Sequence, residues 1–225
     1  MQNLDVSTIV FAVVAIFVIF KLRSVLGTRT GTERRPMDPP RPLGPAAPNV
    51  VAFNPGPRSA PPPSDRWKGI AEAGSPIAAG LDAIALRETG FDAGPFVAGA
   101  RSAYEMIVGA FAAGDLTTLR RLLAPDVLAN FAKAIEAREA AGEKMTTTLV
   151  SIDAAYIVDA RVINGVASIA VKFAAKLASS TVDRAGAVVD GSTTSVGDHL
   201  DIWTFARTLG ARDPNWLLAA TETVH

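Results

Sequence analysis

Four residues of this sequence are candidates for acid–base catalysis: Tyr104, Tyr156, Asp153 and His199. Such groups act as general acids or bases when a partner tunes the pKa and a cavity admits a substrate. Tyr104 lies on an apolar helical stripe with no acid four residues away, and Tyr156 is predicted to face an apolar strand, so both are typical of a core. Asp153 has a predicted lysine partner, and His199 begins a predicted strand. The residues therefore predict no catalytic site.

Composition excludes several classes of site. The chain has 225 residues, no cysteine, two histidines and a formal net charge of zero. Without cysteine it has no disulfide, thiol nucleophile or cysteine zinc site, and one non-terminal histidine does not build a metal site alone. Nucleic-acid-binding proteins usually carry a net basic face, which a neutral chain does not suggest. We therefore expect no metal, no cofactor and no nucleic acid.

The amino-terminal segment contains an uncharged apolar run from Val6 to Phe20, directly followed by basic residues. Extended from Leu4 to Leu26, it would form a helix of roughly 34 Å, enough for a hydrocarbon core of ~30 Å. A signal peptide would place basic residues ahead of the run, and a core helix would show a polar face. We predict a single-pass transmembrane anchor at residues 1–27. Its transmembrane positions include Val6, Ile9, Phe11, Ile16 and Phe20.

The orientation of the anchor follows from its basic flank, which lies on the carboxyl-terminal side of the run. The positive-inside rule then puts the amino terminus outside and the rest of the chain in the cytoplasm. Residues 28–66 are rich in proline, glycine and small side chains, as in Pro36 to Pro45 and Pro61 to Ser64. We predict a disordered proline-rich linker there, because so few residues can bury apolar surface. A single domain is expected over residues 67–225.

Helical periodicity dominates the first half of this domain. Apolar residues recur every three or four positions, and glycine, proline and aspartate mark the ends. A short amphipathic helix is followed by a longer one whose stripe includes Tyr104 and Ile107. The predicted helices begin and end near Ile77 and Gly90, Phe96 and Gly114, Asp115 and Leu123, and Pro125 and Gly142.

From Val150 onward the apolar period changes to two, which predicts strands. Asn164-Gly165 is a two-residue hairpin signal. The turn pairs Ile163 with Val166, and an uninterrupted ladder places apolar residues opposite one another. Its pairs are Ala160 with Ile169, Val158 with Val171, Tyr156 with Phe173, and Ile152 with Leu177. The same register puts Asp153 opposite Lys176 on the other face.

A turn-rich stretch from Asp183 to Gly191 precedes two further predicted strands, His199 to Thr208 and Trp216 to Thr221. Helices followed by strands predict an α+β domain in which the amino-terminal helices pack on a curved antiparallel sheet. Such packing tends to leave a cone-shaped cavity. The predicted pocket wall consists of Tyr104, Ile107, Tyr156, Phe173, Trp203, Phe205 and Trp216.

Four motifs carry a resemblance to a known family. They lie at residues 96–116, 131–142, 201–207 and 213–216, and the first reads FVAGARSAYEMIVGAFAAGDL. From about Ile70 to Glu222 the chain resembles the Tim44-like domain, and more closely the Tim44/TimA adaptor proteins of alphaproteobacteria. The resemblance implies an NTF2-like fold with a large apolar pocket.

The resemblance also implies a function. For the mitochondrial relatives it implies a role at the inner face of the inner membrane, docking a chaperone at a protein translocase. We therefore expect a non-catalytic adaptor anchored in the bacterial inner membrane, acting in protein translocation, insertion or assembly. Its expected partners are a translocase, the ribosome, a nascent membrane protein or a chaperone. The alternative is a membrane-tethered NTF2-like enzyme or apolar-ligand-binding domain, because that fold also hosts isomerases and dehydratases.

Overall fold

A computed structural model describes residues 65–224 of the chain. The predicted anchor at residues 1–27 and nearly all of the predicted linker at residues 28–66 lie outside the described residues. None of the helices within residues 65–224 combines the length and apolarity needed to cross a bilayer.

Four α-helices follow a short 3-10 turn at Asp65–Trp67. They are α1 (Pro76–Arg87), α2 (Ala93–Ala113), α3 (Leu116–Leu122) and α4 (Pro125–Ala141). The four predicted helices are confirmed, although α1 ends three residues before the predicted Gly90 and α2 begins three residues before the predicted Phe96. The Asp115 carboxylate accepts from the backbone N–H of both Thr117 and Thr118 at 3.0 Å, which satisfies amide groups that α3 leaves unpaired. Gly114 ends α2 with a φ of 72°, a conformation that favours glycine.

The four strands form one antiparallel sheet in the order β1 (Lys144–Ile163), β2 (Val166–Val182), β3 (Val188–Thr208) and β4 (Leu217–Thr223). The predicted hairpin is confirmed: Asn164 and Gly165 have φ values of 51° and 78°, as a type I′ turn requires. We call the face toward the helices, where Phe173 and Trp203 lie, the inner face. The opposite face is the outer face.

The third strand begins at Val188, eleven positions before the predicted start at His199. Its first half pairs with the end of β2, for example Ser192 with Ser179. Gly191 and Gly197 concealed this segment from a propensity argument, because glycine is depleted in strands. Gly191 packs so closely on the Ser179 backbone that a Cβ atom would clash there, so glycine is required for the pairing.

The predicted hairpin register is confirmed near the turn, as in the pairing of Ala160 with Ile169, and is wrong farther along. A bulge between Ile157 and Asp159 pairs Ile157 with Val171, in place of Val158. Two further bulges follow at residues 149–151 and 152–154. Each inserts one unpaired residue and increases the local twist, which strict alternation cannot foresee.

The bulges change the predicted partners of the aromatic and charged residues as well. Phe173 faces Ala155, and Leu177 faces Leu149. Lys176 lies opposite Ser151 in the ladder, yet its Nζ is 3.5 Å from Oδ2 of Asp153. The predicted ion pair therefore forms diagonally across the strands.

The core lies between the helices and the inner face. β2 is its centre, because Ile169, Val171 and Phe173 are fully buried. Each such side chain contributes roughly 1.5–3 kcal/mol through removal from water. The helices supply the residues that cover them, among which Leu81, Ile84, Tyr104, Ile107, Leu119 and Ile135 are fully buried or nearly so.

The bulged register predicts which positions of β1 tolerate a charge, and the unbulged register predicts the opposite. Ile157 is 3% exposed and Val150 is 54% exposed, although alternation alone puts Val150 on the apolar face. Ile157→Asp should lower the free energy of unfolding by about 3 kcal/mol or more, because it buries an unpaired carboxylate. Val150→Asp should cost about 1 kcal/mol or less. Thermal unfolding checks both, and equal losses would contradict the bulged register.

A second prediction concerns the contact between α1 and β1. A Cβ atom on Gly80 would overlap the backbone carbonyl of Ala160, whereas one on Gly99, within α2, would meet nothing within 4 Å. Glycine to alanine inside an exposed helix normally stabilises by about 1 kcal/mol. Gly99→Ala should therefore raise the melting temperature, while Gly80→Ala should lower it as α1 is pushed off the sheet. Two variants that shift in the same direction would refute this packing.

Candidate functional site

The structure buries all of the predicted pocket-wall residues except Tyr156 in the core, either fully or in part. Tyr104, Ile107 and Phe173 are at most 1% exposed, Phe205 and Trp203 are buried, and Trp216 packs against the core. Tyr104 and Ile107 come from α2, whose apolar stripe faces the sheet. The strand residues come from the inner face.

The aromatic rings among these residues contact one another through the interior. The ring centroid of Tyr104 is 4.8 Å from that of Phe173 and 4.5 Å from that of Trp203. Pairs at such distances add about 0.5–1.5 kcal/mol beyond the effect of burial. The predicted wall is thus an aromatic layer that joins α2 to β2 and β3. The layer continues through Phe205, Phe96, Trp216, Phe91 and Trp67.

Three hydrogen-bonded polar side chains lie beside this layer. The Tyr104 hydroxyl donates to Oδ2 of Asp201 at 2.9 Å, and the Thr223 hydroxyl donates to Oδ1 of the same carboxylate at 3.1 Å. Burial raises the pKa of the Tyr104 hydroxyl, and the charge of Asp201 and its hydrogen bond raise that pKa further. Tyr104 therefore stays protonated at neutral pH and serves as a hydrogen-bond donor, not as a base.

Sequence reasoning missed Asp201 as a partner of Tyr104. A signal was available, because Asp201 lies two residues before Trp203 on β3 and residues two apart share a face of a sheet. Wherever Trp203 meets the helices, Asp201 must lie beside it and needs a hydrogen-bond donor. Tyr104 supplies that donor from α2.

The assignment of Tyr156 to the pocket wall is wrong. Its side chain is 48% exposed on the outer face, and its partner across the ladder is Lys172. The bulge between Ile157 and Asp159 is the cause, because it turns Ile157 inward and Tyr156 outward. Of the two tyrosines in the chain, only Tyr104 faces the core.

The remaining acid–base candidates lie apart from Tyr104. Asp153 is exposed, and a hydrogen bond from Ser151 lowers the pKa of its carboxyl, with the Lys176 charge as a further cause. His199 lies two residues before Asp201 on the same face of β3 and makes no side-chain hydrogen bond that the structure records. Within residues 65–224, no three His, Asp or Glu side chains are placed to hold a metal ion.

Arg138 on α4 is a buried charge that sequence reasoning also missed. It is 8% exposed, and its guanidinium donates to the carbonyls of Phe111 at 2.8 Å and Ala112 at 3.1 Å. A cation is stabilised at a helix carboxyl terminus, and these carbonyls belong to the last turn of α2. Burial lowers the pKa of Arg138. The arginine therefore fixes α4 against the end of α2, and its position seven residues after Phe131 was the available signal.

A shallow cleft of about 320 Å³ lies near the hairpin and the start of β4. Its lining includes Ala124, Val166 and Arg207. Arg207 pairs with Glu88 at 3.4 Å, and Glu88 also accepts the backbone N–H of Gly210 at 2.9 Å. None of the predicted pocket-wall residues lines this cleft.

Comparison with profiles of protein families shows the family to which the chain belongs. The profile of the Tim44-like domain matches residues 77–223, which run from α1 to the last residue of β4. The chain belongs to the Tim44-like family. The predicted α+β architecture of the Tim44-like domain, with helices and a four-stranded antiparallel sheet, is confirmed. No curated protein matches the sequence of the chain.

Two solved structures show weak similarity to this Tim44-like protein. The intermembrane space region of the chloroplast protein ARC6 is 12% identical with a TM-score of 0.40, over 55% of this chain and 89% of that one. TsrD from Streptomyces laurentii is 14% identical with a TM-score of 0.26, over 56% of this chain and 88% of that one. At these scores neither structure bears on the function of the Tim44-like domain.

The two tyrosines provide a matched test of the buried polar chain. Tyr104→Phe should lower the free energy of unfolding by about 1–3 kcal/mol, because the part-buried Asp201 carboxylate loses a donor. Tyr156→Phe should change it by about 0.5 kcal/mol or less. Urea denaturation checks both variants. A Tyr104→Phe variant as stable as the parent would show that the hydrogen bond to Asp201 contributes nothing.

The same pair predicts a pH dependence. The folded chain holds the Tyr104 proton more tightly than the unfolded chain, since the pKa is raised above its ordinary value of 10.0. The stabilisation is complete below pH 10 and is lost as the pH rises above it. Tyr104→Phe should remove part of this alkaline decline, and Tyr156→Phe should leave the decline steep. Parallel stability curves for all three proteins would contradict the raised pKa.

Proposed function

We propose that this Tim44-like protein is a non-catalytic adaptor in the inner membrane of a bacterium, of the kind found in alphaproteobacteria. Its anchor would be residues 1–27, and its domain would lie in the cytoplasm and act in protein translocation, insertion or assembly. The observation that carries the proposal is the family match over residues 77–223, in a chain that also contains the apolar run from Val6 to Phe20 with a basic flank.

The interior of the domain supports an adaptor over an enzyme. The Tyr104 hydroxyl donates a hydrogen bond to the Asp201 carboxylate, and the Tyr104 ring is in contact with Phe173 and Trp203. A general acid or base must reach a substrate within hydrogen-bond distance. The alternative, an NTF2-like enzyme or an apolar-ligand-binding domain, requires space beside Tyr104. In residues 65–224 the observed cleft lies elsewhere and is lined by other residues.

The proposed linker makes weak contacts useful. As a coil, residues 28–66 have a root-mean-square length of roughly 35 Å, which would confine the domain near the bilayer. Such confinement gives an effective concentration in the millimolar range at a membrane partner. The proposed partners are proteins of membrane-side biogenesis: a translocase, the ribosome, a nascent membrane protein or a chaperone.

Topology is the first test of the proposal. Protease added to intact cells should spare the domain, whereas protease added to inverted membrane vesicles should release it by cutting within residues 28–66. The fragment should begin before Trp67, which is 5% exposed in the core. Immunoblotting with an antibody against the domain reads both outcomes. A domain that is soluble before any protease is added would refute the anchor.

Partner capture tests the adaptor itself. A photo-crosslinking amino acid at Leu86, which is 83% exposed on α1, should join the full chain to proteins of translocation, insertion or assembly in living cells. A chain without residues 1–27 should still fold and should lose most of these crosslinks. If the anchorless chain restores function fully and captures no protein, the adaptor proposal fails. If Tyr104→Phe abolishes function in a stably folded chain, that result would support the enzyme alternative.

A further inference from the structure

The outer face of the sheet leaves exposed apolar side chains. The helix contacts described above lie on the inner face, whereas Tyr156 and Leu200 on the outer face are 48% and 40% exposed. The outer-facing positions around them carry small side chains that make the surface flat: Ala170, Ala174, Thr204, Ala206 and Ala220.

One cross-strand row in the middle of this face carries two opposite charges. Lys172 pairs with Ile202, and Ile202 pairs with Glu222, so the charges flank one isoleucine. Two strand spacings of ~4.8 Å separate their backbones by roughly 10 Å, so an ion pair within one sheet would need both side chains fully extended over Ile202. Neither forms an ion pair with another residue of the described chain.

Five other charged residues on the outer face do find partners in the same chain. Arg161 pairs with Asp159, and Lys176 pairs with both Asp153 and Asp198. These pairs lie on either side of the Lys172 and Glu222 row along the strands. The centre of the face therefore holds a lysine and a glutamate that form no ion pair within the described residues.

We propose that the outer face is the interface of a symmetric dimer formed with a second copy of this chain. A two-fold axis that runs parallel to β3 above Ile202, midway between two stacked sheets, places Lys172 opposite Glu222 of the second copy. The same rotation places Glu222 opposite Lys172 of the second copy, so one operation satisfies both charges. An isologous contact requires such self-complementarity.

The small residues on the same face fit this arrangement. Two sheets stack face to face at a separation of about 10 Å with their strands roughly aligned. Along the proposed axis, Ile202 and Thr204 each meet their own counterpart. Ala170 and Ala220 flank Thr204 in its row, so the rotation sets each opposite the other. Small side chains at these positions allow the close approach that Ile202 needs for burial.

The size of the face sets the strength of the dimer. The three strands that overlap under this rotation, β2 to β4, and about seven residue rows cover roughly 14 Å by 23 Å, or roughly 320 Å² in projection. A standard interface buries about 800 Å² of accessible surface on each partner. The dimer is therefore weak, and any tethering of the chains to one membrane favours it. The contact is a property of the domain and does not depend on the proposed adaptor role.

Single-cysteine crosslinking of the full chain in mild detergent tests the dimer. The chain has no cysteine, so Thr204→Cys introduces one thiol beside the axis. A short bismaleimide should convert it to a species of twice 23.5 kDa. Met106→Cys is the control, because Met106 is 46% exposed on α2 and faces away from the sheet. Equal dimer yields from the two cysteines, or a monomeric Thr204→Cys chain, overturn the proposal.

Charge exchange tests the two-fold axis. In the Thr204→Cys chain, Lys172→Glu or Glu222→Lys alone should reduce the crosslinked fraction about tenfold, because each puts like charges opposite one another. The double variant Lys172→Glu with Glu222→Lys should restore it, since both pairs re-form with reversed sign. Circular dichroism confirms that the variants fold. Equal crosslinking in single and double variants, or a crosslink to a different protein, contradicts the interface.

Discussion

The contact between α2 and the inner face of the sheet, made through Tyr104, is the interaction on which the rest of this structure depends. The ring is in contact with Phe173 of β2 and Trp203 of β3, and its hydroxyl reaches Asp201. It therefore links one helix to two strands by both apolar and polar contact. Arg138 adds a second contact of this kind, because its hydrogen bonds fix α4 to the carboxyl end of α2.

The curvature of the sheet makes that contact possible. Three bulges in β1 reset the pairing with β2, and each adds twist where the helices must lie against the strands. The bulge beside Val158 turns Ile157 into the core and leaves Tyr156 outside. Gly80 then lets α1 approach the β1 backbone at Ala160 more closely than a side chain would allow.

Much of this fold could be predicted from the sequence because its signals are local. Helix ends follow from Asp115 and Gly114, and the hairpin follows from Asn164 and Gly165, since caps and turns depend on a few adjacent residues. The bulges depend on fit to a distant strand and on the covering helices, so alternation alone misplaced Tyr156. The pairing of Tyr104 with Asp201 joins residues far apart in the sequence, and it becomes visible only when the helix is placed on the sheet.

The two faces of the sheet divide the roles within the domain. The inner face is closed by aromatic side chains, among which the Tyr104 hydroxyl and the Asp201 carboxylate are hydrogen-bonded to each other. The outer face and the helix surfaces carry the exposed residues, such as Leu200, Met106 and Leu86. This arrangement agrees with the adaptor function proposed for this Tim44-like chain.

The central claim is that α2 stays closed on the sheet and the interior is a core. Amide hydrogen exchange measures this most directly, because it reports the free energy of opening at each residue. We expect the backbone amides of Tyr104, Phe173 and Trp203 to exchange only through global unfolding, with an opening free energy equal to that measured by denaturant. Exchange at Tyr104 through a much smaller opening, in a chain that remains otherwise folded, would mean that α2 lifts to expose a cavity and would contradict the account.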